Sequence, residues 1–373
     1  MSSMTLGRKI WVSILLLLLI GFAVAEYAFR HPPPPHLAPV PADPAKRMKA
    51  VVYYQYGSPD VLHIVDVEKP TPADDELLIK VHAASLNPYE WHFMSGKPFL
   101  VRMIAGWRAP KRYRLGIDFS GTVVAIGKNV THFKIGDAVF GGADGALAEY
   151  VNLREDDRSL AAAPSNMNFE QTASVAIAGL TALQALRDKG QVHAGEKVLV
   201  NGASGGVGTF AVQIAKAYGA EVTGVCSTRN LDMVRSLGAD HVIDYTQEDF
   251  TQAGVHYDLI IDIVGSHSFL QYRHALTPTG TLVIVGGSPG DPVLGALDAP
   301  IRAMFLKPFV SQHFVLLLAD VNRKADLEFL GGLMQSGKLT PVIDRHYPMA
   351  QIQDAMRYVE TGHTRGKVLI DID

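Results

Sequence analysis

The chain reads as an α/β protein in which a β-rich part is followed by a doubly wound parallel sheet, with an N-terminal single-pass membrane segment in front. Three observations predict this. β-Branched and aromatic runs separated by glycine turns fill the stretch from Met48 to about residue 165. From there to about residue 337, apolar strands alternate with helical periods, the pattern of a parallel sheet covered on both faces. Before both, after Arg8 and Lys9, runs "IWVSILLLLLIGFAVA", uncharged and continuing with one interruption, Glu26, to Phe29.

Composition narrows the class. The 373 residues allow two or three domains at about 150 residues each. A net charge of −3 leaves no footprint for nucleic acid. The single cysteine, Cys226, excludes an intramolecular disulfide and any cysteine-rich zinc site. The N-terminal run, residues 1–30, is expected to be a membrane anchor left in place; a signal peptide cut after "AVA" is the alternative. Residues 31–47 contain "HPPPPHLAPVPADPAK", a proline-rich linker favouring extended polyproline II.

In the β-rich part, "MKAVVYYQYG", "DELLIKVHAASLN", "GIDFSGTVVAIGKNV" and "FKIGDAVFG" read as strands. "NFEQTASVAIAGLTALQALRDKG" then has helical spacing and ends on a glycine cap. "KVLVNG", a helix, "EVTGVCS", the helix "NLDMVRSLG", "HVIDY", "YDLIIDIVG" and "GTLVIVGG" follow in alternation. The tail mixes one helix with a last strand that is expected to return to the β-rich part. No internal repeat is visible.

The joint "VNGASGGVGTF" follows a strand and opens a helix. Ala203, Gly205 and Gly208 fit G-x-G-x-x-G with alanine in the first slot, within the loop Ala203, Ser204, Gly205, Gly206, Val207, Gly208. Bare backbone there lets N–H groups approach a pyrophosphate at a helix start, so a dinucleotide is expected. At the end of the next strand stands "CSTRN", with Ser227 and Arg229 and no carboxylate before Asp232; an arginine there suits the 2′-phosphate of NADPH/NADP.

Taken in order, "GIDFSGTVVAIGKNVTHFKIGDAVFG", "GLTALQAL", the glycine joint, "SLGADHVIDY", "YDLIIDIVG", "GTLVIVGG" and "GKVLI" resemble the medium-chain dehydrogenase/reductase superfamily from Met48 to Asp373. The resemblance implies a GroES-like substrate domain at 48–165, completed by 338–373, and a Rossmann NADP-binding domain at 166–337, with the active site between them. It also implies that Thr181 contacts the nicotinamide carboxamide, that Tyr245 sits by the adenosine, and that Val264, Gly286 and Lys367 close over the cofactor.

The superfamily contains zinc alcohol dehydrogenases and zinc-free reductases. Asn87 stands where a zinc cysteine would be, and Ile117 where a histidine would be, and neither can replace the ligand. "LNPYEW" is similar to the zinc-free quinone oxidoreductases, so no metal is expected. The expected reaction is direct hydride transfer from NADPH to a quinone or an α,β-unsaturated carbonyl. Asn87 is the candidate to bind the acceptor oxygen and Tyr89 to donate the proton; Tyr89 packing on Trp91 and Phe93 is the plainer alternative. His82, His92 and His132 match no metal motif. A tethered NADPH sensor without turnover and a zinc-independent alcohol dehydrogenase are the competing functions, and a homodimer is compatible with the chain.

Residues 97–114 carry Lys97, Arg102, Arg108, Lys111, Arg112 and Arg114, no acid, and Phe99, Leu100, Met103, Ile104 and Trp107 between them. Two readings stay open: an interfacial membrane contact, or a substrate lid with solvated charges. Arg8 and Lys9 on one side of the apolar run oppose Lys46, Arg47 and Lys49 on the other, so charge does not set the topology. The need for NADPH turns the catalytic part toward the cytosol.

Overall fold

The computed structural model describes residues 40–286 and 311–372. The expected membrane run and most of the linker lie outside them, and among the described residues no helix is long and apolar enough to cross a membrane.

The β-rich part opens with β1 (Arg47–Val52) and β2 (His63–Glu68), an antiparallel pair. β2 was not among the expected strands, because its half-exposed residues carry too little apolar alternation to stand out. β3 (Glu76–Leu86), β4 (Asp118–Ile126), β5 (Ala138–Gly142), β6 (Tyr150–Arg154) and β7 (Leu160–Ala162) follow; β3 to β5 and β7 pair in sequence order, and β6 pairs with β3. Between β3 and β4 the chain forms α1 (Pro88–Ser95) and α2 (Val101–Ala105). Proline at the first helical position and Glu90, whose carboxylate accepts the Asn87 N–H at 2.8 Å, start α1.

The single helix expected near residues 168–190 is broken. α3 (Phe169–Ala173) is capped by Asn168 and Gln171, α4 (Ala176–Leu183) restarts after Val175, and a wider π turn spans Gln184–Lys189. Gly190 closes this run at φ −82, without the left-handed conformation of an ordinary glycine cap. Crowding explains the glycine: a Cβ there would lie 2.7 Å from Leu259.

β8 (Lys197–Asn201), β9 (Glu221–Cys226), β10 (His241–Asp244), β11 (Tyr257–Asp262), β12 (Leu276–Ile284) and β13 (His313–Leu316) form one parallel sheet in the order β10-β9-β8-β11-β12-β13. Its flanking helices are α5 (Gly206–Ala217), α6 (Leu231–Ser236), α7 (Phe269–Ala275) and α8 (Lys324–Gln335). The order reverses between β8 and β11, and the carboxyl ends of strands at such a reversal are where open parallel sheets bind ligands.

β14 (Ile343–Pro348), α9 (Ile352–Glu360) and β15 (Lys367–Asp371) end the described chain. β15 pairs antiparallel with β3, from Val368 opposite Leu86 to Asp371 opposite Ala83, so the tail completes the first sheet. At its start the tail also meets the parallel domain: Gly366 N–H donates to Ser204 O at 2.9 Å, and Gly205 and Gly366 form a parallel bridge.

Candidate active site

The glycine loop follows β8, at the point where the strand order reverses. The tight turn falls on Gly202, at φ +94, one residue before the alanine of the motif. The two motif glycines then serve different ends. A Cβ on Gly208 would lie 2.1 Å from Gly202 O, so this glycine permits the helix to pack on the strand. A Cβ on Gly205 would find nothing closer than 3.6 Å, so that space is open to a ligand. Gly205 is also the N-cap of α5 and has no side chain to cap it, which leaves N–H groups of the first turn for an anion.

The other expected cofactor residues border this loop. Val264 packs its Cγ2 against Gly202, and the stem of Lys367 lies against Gly206. Val264 N–H donates to Asp262 Oδ1 at 3.3 Å and Gly286 N–H to Asp262 O at 3.3 Å, so one residue at the end of β11 organises both. Asn230 donates to Ser204 Oγ at 3.1 Å and to Ser227 Oγ at 3.2 Å, while its buried Oδ1 has no partner. Open space, uncapped N–H groups and an orphaned buried oxygen fit a dinucleotide.

Arg229 leaves the end of β9 and donates to His363 O at 2.7 Å. Arg365, two positions further on, reaches Met233 on α6, and so adds a cation that sequence spacing did not single out. Tyr245 is 56% exposed and its N–H donates to Cys226 O at 3.1 Å. A carboxylate does stand near "CSTRN": Asp244 accepts from Thr228 Oγ1 at 2.5 Å and Thr246 Oγ1 at 2.8 Å, and the Thr228 bond leads the effects that hold its acid form below the usual carboxylate range. With the Thr246 N–H at 3.0 Å, three local donors already engage it.

Toward the β-rich side lies a buried polar network. Asp118, 0% exposed, accepts from Ser85 Oγ at 2.9 Å, Asn87 Nδ2 at 3.0 Å, Lys367 Nζ at 3.2 Å and the backbone N–H of Ile177 at 2.9 Å. Lys367 Nζ also donates to Asn87 Oδ1. An ammonium on one end and a carboxylate on the other fix which atom of the Asn87 amide is oxygen. Since Nδ2 carries two hydrogens, one remains for an acceptor. The Ile177 contact ties the start of α4 to the network, and Thr181 sits buried one turn on.

Glu90 completes it. Fully buried, it has one oxygen on Asn87 N–H and the other, Oε1, without a partner. Burial, with the Asp118 charge adding to it and Lys367 opposing, pushes its carboxyl up to about 7. Beside Glu90, the Tyr89 ring stacks on Phe93 with centroids 4.2 Å apart, and burial pushes its phenol up to about 12. Trp91 pairs with His92 instead. Asp118 and Glu90 were missed from sequence, where Asp118 reads only as the neighbour of Ile117.

The three histidines near this region are engaged outside it, His82 with Thr122 at 3.0 Å, His92 with Lys97 O at 2.7 Å and His132 with Glu155 at 2.8 Å. Among the described residues the one group of possible metal ligands is Glu170, His346 and Asp371, on α3, β14 and β15 respectively rather than at Asn87.

A β-rich domain whose last strand abuts the glycine loop of a parallel sheet defines a two-domain, nicotinamide-dependent oxidoreductase. Comparison with known proteins agrees. Residues 73–165 match the family described as alcohol dehydrogenase GroES-like domain, and residues 237–370 the family described as zinc-binding dehydrogenase. The chain is 33% identical over 344 residues to the chloroplast envelope quinone oxidoreductase homolog of Arabidopsis thaliana, spanning 87% of this chain and 99% of that protein. It is 34% identical over 341 residues to the chloroplastic NADPH-dependent alkenal/one oxidoreductase of the same plant, spanning 87% and 80%. The solved quinone oxidoreductase of Coxiella burnetii superposes with a TM-score of 0.77 at 33% identity, covering 88% of this chain and 100% of that one. The chain belongs to the medium-chain dehydrogenase/reductase superfamily, in its quinone-oxidoreductase-like branch.

Proposed function

We propose that this enzyme transfers hydride from NADPH to a quinone or an α,β-unsaturated carbonyl without zinc. One observation carries the reading: where a metal-dependent relative would place ligands, Asn87 is instead locked between Lys367 and Asp118. The names of the relatives, an alkenal/one oxidoreductase and a quinone oxidoreductase homolog, support the same acceptor class.

Bound NADPH supplies the hydride, and Ala203, Ser204, Gly205, Gly206, Val207, Gly208, Ser227, Arg229, Tyr245, Thr181, Val264, Gly286 and Lys367 are the residues proposed to hold it. Asn87 takes the acceptor oxygen on its remaining N–H. Because the Lys367 ammonium draws on Asn87 Oδ1, that N–H is a stronger donor, aimed at an oxygen that gains negative charge. Tyr89 remains the proposed donor for the proton that completes the reduction; its raised phenol keeps the proton until a basic enolate forms. Upstream, the N-terminal run is proposed to tether the enzyme, with the catalytic part facing the cytosol.

A panel of quinones, enones and alcohols tests this with NADPH or NADH, with and without a chelator. Steady NADPH oxidation with quinones or enones, indifferent to chelator, is expected. Tight NADPH binding with no turnover would make the protein a sensor, and alcohol-driven NADP reduction would make it an alcohol dehydrogenase.

A further inference from the structure

The basic-aromatic segment is not used by the chemistry above. In the fold it forms α2 and the turn behind it, following α1, which begins beside Asn87. Some of its side chains anchor it: Arg102 lies over the Tyr56 ring at 4.5 Å and donates to Gly96 O at 3.2 Å, and Phe99 meets Trp107 edge-on at 4.9 Å. Apolar surface is still left outward, part of the Trp107 ring included. Met103 is 64% exposed, Ile104 75% and Trp107 53%, spaced so that they share one side of the helix and its turn. Arg108, Lys111 and Lys97 are exposed around them, and Arg112 pairs with Asp144.

We infer that this face docks on a bilayer carrying anionic headgroups, with Met103, Ile104 and Trp107 entering the interface and Arg108 and Lys111 meeting the headgroups. Two features favour lipid over other occupants. Residues 97–114 hold six cations and no acid in a chain of net charge −3, so the field of the patch opposes that of the whole. Tryptophan with two flexible aliphatic side chains is the composition of an interfacial contact. The inference does not depend on which acceptor is reduced.

The test uses the full chain with Trp11→Phe and Trp91→Phe, so that Trp107 is the sole emitter. Trp91 is a mild site to change, because its buried Nε1 has no partner to lose. Vesicles of phosphatidylcholine, with or without phosphatidylglycerol, carry bromine on their acyl chains. Trp107 is expected to be quenched only when phosphatidylglycerol is present. The ratio of docked to undocked protein should fall about fivefold for each of Arg108→Gln and Lys111→Gln at low salt, and Met103→Glu with Ile104→Glu should abolish quenching while turnover of a soluble enone is unchanged. Unquenched Trp107 overturns the inference, whether or not the chain floats with vesicles. So does a raised KM for the soluble enone in the Met103→Glu, Ile104→Glu variant, which would make the segment a lid, or conversion of a dimer to monomers, which would mean that a second copy covers it.

Discussion

Lys367 Nζ lies 3.2 Å from Asp118 Oδ2, with the two side chains 3% and 0% exposed. The pair joins the last strand to the β-rich sheet in a place water does not reach. Removing one partner strands the other charge, which typically costs about 3–5 kcal/mol. Asp118→Asn is therefore expected to lower unfolding free energy by that order in urea titration. Lys367→Met should cost less, because Asp118 keeps Ser85, Asn87 and the Ile177 N–H. The double variant should recover most of the Asp118→Asn loss while turnover stays low, and simple additivity of the two would sink the pairing as an energetic unit.

Glu90 gives the enzyme a pH signature. Its carboxyl stands at about 7 in the fold against an ordinary value of 4.5. Below 4.5 folded and unfolded chains both hold the proton and the full stability is present; as pH rises through about 7 that contribution is lost, at most about 3 kcal/mol. Asp118 and Lys367 act on it from the network, and Tyr53 and Tyr89 lie close by. Thermal melts from pH 5 to 8 should show wild type falling more steeply than Glu90→Gln.

The proposed preference for NADPH rests on Arg229. Loss of a charge-assisted contact worth about 1.5–3 kcal/mol corresponds to roughly 10- to 150-fold in affinity. Arg229→Ala should raise the Kd for NADPH by that range and leave NADH nearly unchanged in fluorescence titration. Arg365→Ala should act the same way more weakly. Equal loss for both cofactors would remove Arg229 from the 2′-phosphate.

The two motif glycines should fail differently. Gly208→Ala sets a methyl 2.1 Å from Gly202 O and should lower Tm as well as abolish NADPH binding. Gly205→Ala has room for its methyl and should leave Tm within a degree or so while weakening NADPH, since the methyl occupies the ligand's side of the loop. A matching loss of Tm in both would show that Gly205 is structural.

Much of this was legible in the chain. The glycine spacing behind an apolar strand located the strand–loop–helix joint that opens α5, because a phosphate-binding turn needs bare backbone at fixed positions. That Asn87 and Ile117 are not zinc-ligand residue types could be read because a metal tolerates few residue types. What holds Asn87 was not legible: its partners Asp118 and Lys367 are 31 and 280 positions away, and a buried carboxylate interrupting a strand pattern carries no local sign of its partner. Asp244 escaped for the same reason, reaching Thr228 only through the pairing of β9 and β10. The break at Val175 was hidden because apolar spacing continues across it while the backbone does not.

The contact of Gly366 with Ser204 and Gly205 fastens the tail of one sheet to the glycine loop of the other, which makes that point the expected pivot for any rotation between them. The expected consequence is an ordered cycle, dinucleotide first on and last off, and product-inhibition patterns check it.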